Sequence, residues 1–119
     1  MRKSDKTKKV NREKKRLMSI LPEECKEITE AVETLTDRMA FMKVTLEILE
    51  EDIKQNGPVI EFVNGSQEMM IENPAQKSYN TMIARYLAAF KQFISLFPKE
   101  EQKAIEDDGF DAFVGGRGD

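Results

Sequence analysis

The sequence predicts a mainly α-helical, oligomeric chain: a long helix, a β-hairpin and a second, antiparallel helix, flanked by a basic N-terminal arm and a disordered acidic C-terminal tail. Three observations carry this reading. A heptad seam runs from Leu21 to Ile53, strand formers flank a turn between Val59 and Ile71, and Asn73-Pro74 opens a strongly apolar stretch. The expected division is a basic N-terminal segment over 1–20, a helical-hairpin core over 21–98 with the β-hairpin at 59–71, and a flexible acidic and aromatic tail over 99–119.

The long helix is read from its ends inward. Pro22 suits a first turn, Glu23 and Glu24 suit the positive N-terminal end, and Asn56-Gly57-Pro58 supplies a stop. The 35 residues between would span roughly 52 Å. Leu21, Cys25, Ile28, Val32, Leu35, Met39, Met42, Leu46, Leu49 and Ile53 alternate in steps of four and three, the mark of a packed seam. With Val32 at position a, Phe41, Val44 and Ile48 fall on the far side and require a second covering element.

Val59 to Val63 and Met69 to Ile71 are rich in β-branched and large apolar residues, with Phe62 and Met70 among them. Asn64-Gly65 between them predicts a two-residue turn with positive φ at both positions. Such a hairpin is marginal alone and must pack on the helices or on a neighbouring subunit's hairpin. Asn73 then caps a second helix, Pro74 sits at its first position, and Gln76 occupies the reciprocal capping place. Its seam of Tyr79, Ile83, Tyr86, Phe90, Phe93 and Phe97 is widened by Leu87 and Ile94, among others, so more than one neighbour is expected. A helix over 74–97 would end near residue 33 of its partner. Leu21, Cys25, Ile28 and Val32 would then be covered either by a returning N-terminal segment or by another subunit.

A core of this size is marginal for one copy, and oligomerisation is the expected remedy. Leu21, Ile28, Val32, Phe41, Val44, Ile48, Phe62, Met70, Leu87 and Ile94 are the candidate interface residues. Histidine is absent and Cys25 is the only thiol, so the sequence holds no disulfide framework, Cys/His zinc site or Cys-His nucleophile pair. No cofactor, metal or catalytic residue is expected. The absence of a long apolar run and of a signal-like N-terminus leads to the expectation of a cytoplasmic, non-membrane protein.

The net charge of -3 conceals an asymmetry: residues 1–16 carry nine basic and two acidic groups, for +7, leaving -10 on the remainder. Lys3, Lys6, Lys8, Lys9, Arg12, Lys14, Lys15 and Arg16 are candidate phosphate contacts, able to bind duplex DNA without reading sequence. A solubilising end is the plain alternative. No aromatic residue interleaves the arm, which argues against base stacking. Glu23, Glu24, Glu27, Glu30 and Glu33 read as the solvated face of a helix rather than as metal ligands. Phe110 and Phe113, three apart among Asp107, Asp108 and Asp111, form a candidate docking turn for a partner groove.

The run from Asn64-Gly65 to Pro98, with Asn73-Pro74-Ala75 opening the last helix, Tyr79 one turn in and Leu96-Phe97-Pro98 closing it, resembles the C-terminal half of small terminase subunits of tailed bacteriophages. It covers roughly a third of the chain. The resemblance implies a non-catalytic, ring-forming homo-oligomer in the host bacterial cytoplasm. Such a subunit binds double-stranded viral DNA and regulates the large subunit, which holds the ATPase and nuclease, during genome packaging. It further implies DNA at the basic N-terminal residues and the large subunit at the tail. The arm is shorter than the separate helix-turn-helix domain of some relatives, so backbone contact is expected rather than base readout. A coiled-coil scaffold without DNA binding is the rival reading.

Overall fold

The computed structural model describes residues 2–23 and 29–107. Cys25, Ile28, Phe110 and Phe113 lie outside the described residues. The elements are α1 (Lys3–Ile20), α2 (Glu30–Asn56), β1 (Val59–Asn64), β2 (Gln67–Glu72), α3 (Pro74–Ile94) and α4 (Lys99–Asp107).

The basic segment is helical, and Pro22 follows a helix instead of opening one. Proline disfavours helical backbone at the residue before it, and Leu21 is accordingly extended at φ -61°, ψ 143°, which stops α1 at Ile20. The second helix has its own start: Thr29 Oγ1 accepts from the Val32 amide at 3.3 Å, and Glu30 and Glu33 sit in the first turn. The single helix expected over 22–56 is therefore replaced by α1, a break and α2. At its other end Gly57 takes φ +82°, a value suited to glycine, and donates its amide to the Ile53 carbonyl at 2.7 Å.

Both neighbours of α2 run antiparallel to it. Along α1 the pairings Lys14 with Asp37 and Glu13 with Lys43 climb α2 as the α1 number falls. On the other side Tyr79 donates to Glu50 and Asn73 donates to Asp52. The N-terminal segment thus returns over α2. Leu17 and Leu21 are buried with Met39, Leu46, Tyr86, Phe90, Phe93 and Phe97, and each fully buried leucine contributes about 2 kcal/mol. The rings of Tyr86, Phe90, Phe93 and Phe97 succeed one another at 5.5–6.3 Å between centroids.

Asn73 fastens the junction of α2, hairpin and α3. It is buried, with its Oδ1 accepting from the Ala75 amide at 3.0 Å and its Nδ2 donating to Asp52 and to the Gly57 carbonyl, both at 2.9 Å. Its own amide donates to the Pro58 carbonyl at 2.8 Å. That bond occupies the donor that a capping box would offer to Gln76, which bonds Asn80 at 2.8 Å instead.

In the hairpin, Val59 opposes Glu72, Phe62 opposes Met69 and Asn64 opposes Gln67, so the loop is Gly65-Ser66 and not Asn64-Gly65. Gly65 at φ +63° is the sole residue there with positive φ, as a turn with glycine at its first central position requires. The shift pairs Ile60 with Ile71 and Phe62 with Met69 and sets Glu61 opposite Met70, whereas the Asn-Gly turn would have set Glu61 opposite Glu68, a like-charge pair. After Ile94, α3 tightens through bonds from Leu96 to Phe93 and from Phe97 to Ile94. The chain then enters α4, where a tail without structure was expected from Lys99, and Ile105 packs against the core.

Candidate nucleic-acid interface and assembly surfaces

Folding α1 onto α2 sorts its cations into two sets. Glu13, buried in the middle of this basic helix, accepts from Arg16 Nε at 2.8 Å and from Arg16 Nη2 at 2.7 Å, with Lys43 Nζ 3.5 Å away. The hydrogen bonds to Glu13 raise the Arg16 pKa above its ordinary value. Lys14 reaches Asp37 at 2.7 Å and Glu33 at 3.4 Å, and bonding to Asp37 first of all raises its pKa. Lys6 stands 4.6 Å above the centre of the Phe41 ring, a cation–π contact. These three cations hold α1 in place.

Lys3, Lys8, Lys9, Arg12 and Lys15 are exposed and make no ion pair among the described residues. At 3.6 residues per turn, Lys8, Arg12 and Lys15 follow one another at i, i+4 and i+7, opposite the Val10, Glu13 and Leu17 side that faces the core. The outer stripe is therefore cationic over about 10 Å of helix. Hydrophobic spacing alone did not separate the two sets, because the apolar residues of α1, Val10, Leu17, Met18 and Ile20, are sparse and crowd toward its C-terminal end; buried Glu13 was the missed signal.

The candidate interface residues divide as well. Leu21, Val44 and Ile94 are enclosed by their own chain, at 4%, 3% and 7% exposure. The stripe on the back of α2 is covered at Val44 by the returning α1, and Val32, Ile48 and Leu87 are half-buried. Phe41, Phe62 and Met70 remain exposed at 50%, 45% and 65%.

The hairpin does not fold back on the helices, and its two faces differ. Ile60, Phe62, Met69 and Ile71 share one side, while Glu61, Glu68 and Glu72 share the other with Val59, Val63 and Met70. A two-stranded ribbon with an exposed apolar side and two open edges is a ready template for pairing.

No group of His, Cys, Asp or Glu suited to holding a metal ion occurs among the described residues, and no described helix is long and apolar enough to cross a membrane. No protein-family model matches the chain, and neither a curated protein nor a solved structure matches it.

Proposed function

We propose that the chain is a non-catalytic, self-assembling DNA-binding subunit of the small terminase kind: a ring-forming oligomer that positions duplex viral DNA for a large ATPase and nuclease subunit in the host cytoplasm. The observation that carries the DNA reading is the outer stripe of α1. Three neighbouring cations are locked to Glu13, Asp37 and Phe41, whereas Lys8, Arg12 and Lys15 point away from the core and make no ion pair among the described residues. Cations in that state release counterions on meeting phosphates, which favours backbone binding without base readout. The resemblance over 64–98 supplies the motor context, with the C-terminal segment as the contact for the large subunit.

The apolar side of the hairpin supports assembly, because four large apolar side chains on a projecting ribbon are stabilised by a partner ribbon. Light scattering on a sizing column, with and without viral-end duplex DNA, tests both parts. The expected result is a ring-sized mass that carries DNA at low salt. A dimer or trimer with no DNA retention would instead favour the scaffold reading.

A further inference from the structure

A groove of about 780 Å³ runs between the outer faces of α2 and α3. Its floor is Phe41, Met42 and Met82, and its rim carries Arg38, Lys77 and Arg85. Lys6 adds a fourth cation from above the Phe41 ring. Arg38, Lys77 and Arg85 are exposed and make no ion pair among the described residues, while the one acid at the rim, Asp37, is paired with Lys14 at 2.7 Å. The groove is thus apolar below and uncompensated positive charge above.

The chain contains a segment with the complementary pattern. Glu106-Asp107-Asp108-Gly109-Phe110-Asp111-Ala112-Phe113 places two aromatic rings three residues apart among four acids. Phenylalanine on a methionine floor gains soft, adaptable contacts, and carboxylates beside arginines gain charge-assisted bonds. Arg38 also borders a shallower cleft with Leu35 and Gln92, so the track leads from the C-terminal end of α3, where the chain turns into α4, toward Lys77. Phe113 stands six residues beyond Asp107, a reach of about 20 Å at most, against the roughly 15 Å that separate Gln92 from Met82 along α3.

We propose that this groove is the docking site of the chain's own acidic aromatic segment, residues 106–113, with Phe110 and Phe113 on the Phe41, Met42 and Met82 floor and the acids on the cationic rim. The segment is held there until a partner takes it. A partner that binds Phe110 and Phe113 has to lift them from the groove, so the groove tempers that partner's affinity. The inference rests on the groove and the segment, not on DNA binding, and fails or stands separately from it.

Photocrosslinking in the full chain tests it, with p-benzoylphenylalanine introduced in place of Phe113. Adducts are expected on Phe41, Met42 or Met82. Arg38→Glu with Arg85→Glu should reduce their yield at least fivefold while the circular dichroism stays unchanged. Adding Asp108→Lys and Asp111→Lys to that double variant should restore the yield. Adducts mapping elsewhere, or a yield indifferent to the rim charges, would overturn the proposal. Loss of duplex DNA retention in the double variant with unchanged adduct yield would also overturn it, and would reassign the groove to nucleic acid.

Discussion

Arg16 grips Glu13 with two parallel hydrogen bonds of 2.8 and 2.7 Å, one turn apart on α1, and presents the pair to Lys43 of α2. Glu13 is the single acid among the cations that face α2, and it is buried. Glu13→Ala would leave Arg16 and Lys43 as neighbouring, partly desolvated cations. The expected cost is about 3 kcal/mol, read as a lower urea midpoint, and Glu13→Gln should cost less because its shape and one acceptor remain. An unchanged midpoint would show that the pair does not anchor α1.

Asn73 joins three elements through one side chain, so its replacement should be felt beyond a helix cap. Asn73→Ala loses the Ala75 cap and both Nδ2 bonds, for a combined cost of about 2–4 kcal/mol. Asn73→Asp keeps the cap but sets a carboxylate against Asp52, and should recover only part of that stability. Equal stability of the two variants would contradict the role given to the Nδ2 bonds.

Tyr86 has its hydroxyl buried with no hydrogen-bond partner among the described residues. Burial, reinforced by the negative charge of Glu13, pushes its pKa up to about 12. Because the folded state favours the neutral phenol, its contribution is fully present below the ordinary value of about 10 and is lost as pH rises through about 12. Ultraviolet titration should show one tyrosine ionising late, together with loss of structure. Tyr86→Phe removes the unpaired hydroxyl, and should raise stability by about 1 kcal/mol and abolish that late step.

The hairpin offers the cleanest separation of assembly from folding. Phe62 and Met69 face each other on its apolar side and are half-exposed, so charges there cost the single chain little. Phe62→Asp with Met69→Asp should reduce the mass in light scattering to that of one copy while helical circular dichroism persists. A ring that survives both changes would place the interface elsewhere.

Much of the fold was legible in the sequence, and the misses have local causes. Asn56-Gly57, Asn73-Pro74 and the aromatic seam of α3 carry strong stereochemical signals, and each stands where expected. Pro22 fits equally well before or after a helix. Its extended neighbour Leu21 decided the matter, and with Thr29 as the cap it split the expected long helix. The turn slid by one residue, which pairs Phe62 with Met69 instead of Gln67 and keeps Glu61 from facing Glu68, cross-strand terms that local preference for Asn-Gly does not weigh. At the basic site, composition identified the segment but not which cations are free. That depended on Asp37, Lys43 and Phe41, which approach only when α1 folds back.

The salt dependence of duplex DNA binding tests the central claim most directly, with the wild-type chain compared to Lys8→Glu, Arg12→Glu, Lys15→Glu. If three to five cations meet phosphates, the logarithm of the binding constant should fall with the logarithm of salt at a slope of about -3 to -4.5. The triple variant should lose retention while keeping its helical signal and mass, since none of the three touches the core. Deleting residues 1–16 would be a poorer test, because it also removes Glu13 and Val10 from the α1 interface. Binding that is indifferent to salt, or a triple variant that retains DNA as the wild type does, would contradict the assignment of α1 as the DNA-facing helix.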